Sequence, residues 1–173
     1  MRVRPTLCTR AIENEGCTQK VIRMHIHRLA RVNALQILYE LDTTNHVAST
    51  AIRYRLEDHP LPPEGETFLR QIISGVIEHR DELDALIQKY APAWPVSQIA
   101  VIDRNVLRIA LFELSGETDT PPKVAINEAV DLAKIFGSDN SSRFVNGVLG
   151  SAVGDRDLSA PPPSTHTITT AKD

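Results

Sequence analysis

The chain has 173 residues, close to the length of one domain with tails. Apolar residues make up 42% and charged residues 24%, as in ordinary globular proteins, and no apolar run reaches the roughly 20 residues of a membrane helix. The formal net charge is −3, which by itself is weak evidence against a nucleic-acid-binding protein.

The first 34 residues carry a very different charge from the rest of the chain. They contain seven Lys and Arg against two Glu, a net charge of +5, whereas the other 139 residues have a net charge of −8. Such a split is typical of contact with nucleic acid or an acidic surface, and the alternative is a solvated tail. The two cysteines, Cys8 and Cys17, form neither a disulfide framework nor a metal-binding pair. Since no secretory signal is visible either, we expect a cytoplasmic location.

Residues 1–24 lack a steady helical period, and the strong pattern begins just after Met24, one of two methionines. We therefore interpret 1–24 as a disordered segment, or as an extension upstream of a true start at Met24. The competing interpretation is a genuine basic arm that adds affinity for RNA. N-terminal sequencing of the native protein distinguishes the two.

Helical periodicity runs through the body of the chain, residues 25–155. Apolar spacing predicts a first helix beginning after Met24, a short helix over 47–58, a helix over 66–78 and another up to Tyr90. Pro60 ends the second helix, 60–65 is a loop, and a kink is expected between Gly75 and Asp81. The first helix has one apolar stripe, with Arg28, Arg31 and Glu40 outside it; the stripe consists of Ala30, Ala34, Ile37, Leu38 and Leu41.

In the second half of the body, the sequence predicts three more helices. Ser97 is the expected N-cap of a helix over 98–115, whose wide apolar surface marks it as the central helix, with Gly116 at its C′ position. Pro121 and Pro122 lead into a helix that Gly137 ends, and a last helix covers 141–152. Residues 156–173 contain three consecutive prolines among Ser and Thr, which predicts a disordered tail.

These elements predict an all-α protein, a compact bundle of six or seven helices. No HExxH, GxGxxG, Walker or GxSxG motif is present. Glu128 and Asp131 lie one turn apart, but with Asn127 and Lys134 beside them we interpret them as a solvated face. We therefore expect no enzyme activity, no cofactor and no metal site.

Three segments of the body carry a family resemblance. They are HRLARVNALQILY (27–39), VLRIALFEL (106–114), and VAINEAVDLAK (124–134) followed by RFVNGVL (143–149). Together, in this order and with these separations, they resemble the NusB family of transcription antitermination factors. The resemblance covers residues 27–150 and implies a pair of packed helical sub-bundles.

The resemblance also implies a function and partners. NusB-like proteins pair with NusE, a small-subunit ribosomal protein, and the heterodimer binds the boxA element of ribosomal RNA leader transcripts. With RNA polymerase and other Nus factors, this assembly suppresses premature termination. We therefore expect RNA, NusE, RNA polymerase and Nus factors as partners, and contact with neither membrane nor DNA.

The RNA-binding residues implied by the resemblance are His27, Arg28, Arg31, Tyr39 and Phe144, and Tyr39 and Asn140 are the implied partner-binding residues. Arginine suits phosphate because its planar guanidinium donates two hydrogen bonds at once. His27 and Leu29 stand where relatives commonly carry further arginines, which implies weaker binding. If two phosphates are neutralised, log K falls against log salt with a slope of about −1.4.

Several of these residues have structural alternatives. Tyr39 and Phe144 equally fit packing in the core. Asn127 and Asn146 are expected to cap or bridge helices, and Gly147 to permit a close helix approach.

Two other functions stay open. The chain resembles the NusB-like domain of rRNA cytosine methyltransferases, which applies if the sequence is a fragment of such an enzyme. It also fits a helical protein-interaction module without RNA binding, because the arginine motif is thin. Titration with boxA RNA and NusE separates the antitermination factor from the interaction module, whereas the methyltransferase requires a downstream domain with a Gly-rich cofactor loop and a nucleophilic Cys.

Overall fold

The structure is a computed structural model that describes residues 7–155, with side chains from residue 18 onward. This part of the chain contains seven α-helices and no strand, which confirms the all-α prediction. A 3-10 turn, Val96–Gln98, precedes the fifth helix, and a π-helical turn, Glu113–Glu117, follows it. The helices are α1 Leu7–Thr43, α2 Ala48–Asp58, α3 Pro63–Glu78, α4 Arg80–Tyr90, α5 Val101–Phe112, α6 Pro122–Phe136 and α7 Ser141–Gly154. The predicted tail over 156–173 lies outside the described residues.

α1 is a single helix of 37 residues. The predicted stripe is confirmed, since Ala30, Ala34, Ile37 and Leu38 are buried and Leu41 is partly buried against the core. The helix begins at Leu7, so the predicted beginning after Met24 differs from the structure. Residues 7–24 contain no proline, so nothing in them prevents the helix from extending, although they lack an apolar stripe. The choice between a start at Met24 and a genuine N-terminal arm stays a prediction.

α5 joins two groups of helices. α1 packs on α2 and α3, and α6 packs on α7, while α5 contacts helices of both groups. Its residues from Asn105 to Phe112 are all buried, as expected for the central helix. The fold therefore has the two packed sub-bundles that the resemblance implies. In the described part of the chain, no helix combines the length and the apolar character needed to cross a membrane.

Beyond the start of α1, the helix boundaries differ from the sequence prediction mainly near α3 and α5. α3 begins at Pro63 rather than at 66, because proline suits the first turn of a helix. His79 separates α3 from α4 within the predicted kink. The Ser97 cap prediction is wrong: Ser97 lies in the 3-10 turn, and Ala100 caps α5 without a side-chain bond. Gly116 has the positive φ, 88°, expected after this helix.

A buried ionic cluster ties the end of α1 to α4 and α5. Asp42 accepts hydrogen bonds from Arg104 at 3.0 Å, Asn105 at 3.2 Å and Arg108 at 2.9 Å, and Arg108 also donates to both oxygens of Asp84. Burial raises the pKa of Asp42, but the hydrogen bond from Arg104 and the charges of Arg108 and Arg80 outweigh it and lower the pKa. The cluster fixes the C-terminal end of α1.

Candidate RNA-binding surface

Arg28 lies near the middle of α1, where its side chain reaches α6, and that side chain is 41% exposed. Its Nη2 atom donates to Oδ2 of Asp131 at 3.0 Å, and its Nε lies 3.9 Å from Oε2 of Glu128. Glu128 is buried, so the prediction of a solvated face is wrong for this residue. Of the two predicted arginines, Arg28 is the one that solvent reaches, and two carboxylates of α6 hold it.

Arg31 is buried, with 2% of its surface exposed. Its Nε donates to Oε1 of Glu113 at 2.8 Å and its Nη2 to Oε2 at 2.7 Å, with Thr120 Oγ1 3.3 Å away. Glu113 enters the core at the end of α5 and is also 2% exposed, so its charge requires a buried partner. In this structure the predicted phosphate contact of Arg31 is replaced by a bidentate pair, and we assign the residue a structural role.

His27 stacks on Phe68 of α3, with ring centroids 4.1 Å apart and an angle of 12° between the planes. Its Nε2 lies 3.4 Å from Oε1 of Glu64, and its side chain is 18% exposed. Burial, followed by the charge of Arg31, lowers the pKa of His27 below its ordinary value of 6.5, although Glu64 opposes this effect. At a given pH the imidazole is therefore less protonated than an ordinary histidine side chain, and its contact with RNA stays a prediction.

The remaining predicted residues lie apart from this surface or in a different setting. Tyr39 is 43% exposed and is not among the residues that pack against the core, so the alternative of core packing is not supported. It follows Arg28 by 11 positions, about 16 Å along the helix. Phe144 is half-buried and packs against the core from α7, while Asn140 is exposed just before that helix.

Three secondary predictions about α6 and α7 are wrong. Asn127 and Asn146 are exposed and make no hydrogen bond between helices among the described residues. Gly147 is exposed too, and no atom lies within 4 Å of the place where a Cβ would be. The close approach occurs instead at Gly75, where a Cβ would lie 2.1 Å from Cζ of Phe112.

A cleft of about 470 Å³ opens beside His27, between the middle of α1, the first half of α3 and the segment that leads into α6. α1 contributes Lys20, Arg23, Met24, His27 and Arg31; the other sides contribute Glu64, Thr67, Phe68, Gln71, Asp119, Thr120, Pro121 and Val124. Sequence reasoning missed this cleft. Its walls are up to about a hundred residues apart in the sequence, and no local pattern connects them.

The profile of the NusB family matches residues 28–153, most of the chain and all seven helices in whole or in part. The chain belongs to the NusB family. The match begins at Arg28, so the part of α1 that contributes Lys20, Arg23 and His27 to the cleft lies before it.

Individual NusB proteins support the assignment. The transcription antitermination protein NusB of Roseiflexus sp. is 55% identical over 130 residues, which is 74% of this chain and 92% of that protein. The structure of T. maritima NusB superposes with a TM-score of 0.69 at 31% sequence identity. The match covers 75% of this chain and 91% of the T. maritima chain. NusB in a crystal structure with NusE and dsRNA has the same fold, with a TM-score of 0.68 at 23% sequence identity. This match covers 74% of the present chain and 96% of that NusB chain.

Proposed function

We propose that this chain is a transcription antitermination factor that binds the boxA element of rRNA leader transcripts together with NusE. It then acts in the cytoplasm with RNA polymerase and other Nus factors, as an adaptor and not as a catalyst. The observation that carries the proposal is the NusB match over residues 28–153, which includes Arg28, all of α6 and nearly all of α7.

The surface around Arg28 supports a shared RNA site. An exposed guanidinium binds phosphate well, but here Asp131 and Glu128 compete for it at 3.0 and 3.9 Å. With Arg31 engaged by Glu113, few cations remain to hold RNA tightly. Weak binding by the chain alone and tighter binding by the heterodimer follow from this arrangement.

The aromatic and amide residues complete the proposed interface. Phe144 is only half-buried, and we propose that the exposed part of its ring contacts an unpaired base. Tyr39 and Asn140 are exposed, and we propose both as contacts to NusE, with Tyr39 also available to a base.

Fluorescence anisotropy with labelled boxA RNA tests the proposal. We expect the chain plus NusE from the same cell to bind boxA RNA at least tenfold more tightly than scrambled RNA. Arg28→Ala should weaken binding and reduce the salt slope by about 0.7, the value for one phosphate of a single strand. Arg53→Ala is the matched control, because Arg53 is an exposed arginine on α2 that pairs with Glu57.

Equal affinity for boxA and scrambled RNA, with and without NusE, would refute the proposal. If NusE still binds in that case, the chain is a protein-interaction module without RNA specificity. Capture of RNA polymerase from the source cell tests the assembly separately.

A further inference from the structure

We propose that the three consecutive prolines at 161–163 pack on the exposed indole ring of Trp94, so that the segment after α7 covers an apolar patch of its own chain. The patch consists of residues 92–95, in the loop between α4 and the 3-10 turn. The prolines lie outside the family match, which ends at residue 153. Trp94 is not part of the candidate RNA-binding surface, so this inference is independent of the proposed function.

The patch exposes an unusual amount of apolar surface. Trp94, the only tryptophan of the chain, is 56% exposed, and its neighbours Pro92, Ala93 and Pro95 are exposed as well. Single exposed apolar side chains are common on globular proteins, whereas a run of this kind indicates a contact surface. An indole ring contributes most to such a contact, because it buries a large area.

Gln88 of α4 holds the loop in place from both sides of the indole. Its Nε2 donates to the carbonyl oxygen of Trp94 at 3.3 Å, and its Oε1 accepts from the backbone N–H of Val96 at 3.3 Å. The backbone N–H of Trp94 also donates to the carbonyl oxygen of Ala91 at 3.0 Å. Because the backbone is already bonded, little conformational entropy is lost when another group covers the ring.

The chain leaves α7 beside this loop. The carboxylate of Asp155 accepts from Nζ of Lys89 at 2.7 Å and from the hydroxyl of Tyr90 at 3.3 Å, so it is attached to the last turn of α4. The backbone of Trp94 is bonded to the same end of that helix. Pro161 follows Asp155 by six positions, which reach about 19 Å in polyproline II geometry, whereas one helical turn rises only about 5.4 Å. The prolines can therefore reach the indole.

The chemistry of three consecutive prolines suits an exposed indole. Such a run favours the polyproline II helix, which has no internal hydrogen bonds and is already ordered before it binds. Proline has no backbone N–H, so covering this segment leaves no buried donor without a partner. Aromatic surfaces bind proline-rich segments for these reasons.

The covalent connection favours this segment over a proline-rich segment of another protein. A short flexible connection gives an effective concentration in the millimolar range, so a contact with a dissociation constant of about 1 mM is about half-occupied within one chain. A separate peptide at about 10 μM would occupy a site of that strength to only about 1%. We therefore expect the contact to form within the chain.

The first experiment uses Trp94 as its own reporter in the full chain. Replacing the prolines at 161–163 by alanine should raise the acrylamide quenching constant of the indole fluorescence by about a third, since the prolines cover one of its two faces in about half of the molecules. The triple variant Thr167→Ala, Thr169→Ala, Thr170→Ala is the matched control and should be quenched like the wild-type protein. In NMR spectra of the wild-type protein, the indole protons should show NOEs to proline ring protons.

The second experiment changes the patch instead of the prolines. Trypsin cleaves after Arg156, and a contact between the prolines and Trp94 restrains this bond. Proteolysis follows the population of the open form, so Trp94→Ala should double the cleavage rate from that of a protein about half-closed. Tyr54→Ala is the matched control, because Tyr54 is a comparably exposed aromatic residue on α2, and it should leave the rate unchanged.

The inference is overturned if the triple-alanine variant and the wild-type protein are quenched alike, or if Trp94→Ala and Tyr54→Ala are cleaved alike. It is also overturned if quenching of the wild-type protein falls as its concentration rises, because a second copy then covers the indole. With NusE, the triple-alanine variant should bind boxA RNA as tightly as the wild-type protein does. A loss of RNA affinity would show that the prolines contact RNA or NusE instead. Thermal melting of each variant checks that the fold is intact.

Discussion

The buried pair between Arg31 and Glu113 makes a sharp prediction, because the same arginine was expected to bind RNA. Replacing Arg31 by Ala leaves the Glu113 carboxylate in the core, where both residues are 2% exposed. The loss of one partner of a buried pair costs about 3 to 5 kcal/mol of unfolding free energy. For a chain of this size that corresponds to a fall in Tm of roughly 6 to 20 °C. Glu113→Gln should cost a similar amount, because it leaves the Arg31 charge without its counter-charge.

A double variant separates stability from RNA binding. Arg31→Met with Glu113→Leu replaces both charges by apolar groups of similar size, and such replacements are often neutral or stabilising by about 1 to 4 kcal/mol. Urea denaturation followed by circular dichroism should therefore show the double variant to be far more stable than either single variant. Anisotropy should give it wild-type affinity for boxA RNA. The reasoning is refuted if Arg31→Ala loses less than about 1 kcal/mol of stability and the double variant loses RNA affinity together with about 0.7 of salt slope.

Three further predictions concern Arg28, the glycines and Asp42. Asp131→Asn should raise RNA affinity by up to about fivefold, because it releases Arg28 and an exposed ion pair is worth at most about 1 kcal/mol. Glu57→Gln breaks an exposed ion pair on α2 and serves as the control: RNA affinity measured by anisotropy should not change. Gly75→Ala should destabilise the fold by about 1 to 3 kcal/mol in urea denaturation, because the new Cβ overlaps Phe112. Gly147→Ala has open space around the new Cβ and should stabilise α7 by up to about 1 kcal/mol. Equal effects of the two substitutions would contradict the packing argument. Because the pKa of Asp42 is lowered in the fold, its carboxylate stabilises the fold at pH values above the ordinary Asp pKa, and this stabilisation is lost as the pH falls through the lowered pKa. Asp42→Asn should therefore reduce the stability at pH 7. In acid-unfolding curves, the stability of this variant should decline less steeply below about pH 4.

The repeating apolar pattern was sufficient to predict most of the fold. Ala30, Ala34 and Ile37 recur at the spacing that buries one face of a helix, and prolines and glycines mark the turns, so helix positions follow from local rules. The cap of α5 could not be predicted in the same way. Ser97 has the right chemistry for a cap, but the chain first makes a 3-10 turn there, which no local preference indicates.

The candidate site was predicted only in part, because its residues are distinguished by distant contacts. Arg28 and Arg31 are one turn apart in the same motif and look alike in the sequence. One faces Asp131 at the surface and the other meets Glu113, 82 positions away, in the core. One signal was available: Glu113 follows the apolar run of α5, and a carboxylate beside such a helix requires a buried cation. The cleft had no comparable signal, since Phe68 reads as an ordinary core residue.

The distribution of charge gives a physical reason to expect that this chain, despite its basic N-terminal segment, holds RNA tightly only with a partner. Of the four cations at 18–34, the part of that segment with described side chains, three are paired with carboxylates: Arg23 with Glu64, Arg28 with Asp131 and Arg31 with Glu113. Each carboxylate lies on another helix or turn, so folding itself cancels charge that the sequence presents as free. A phosphate must displace these carboxylates, whereas a stacked base does not compete with them. The affinity of the chain alone should therefore depend little on salt, and adding NusE should increase both the affinity and the salt slope.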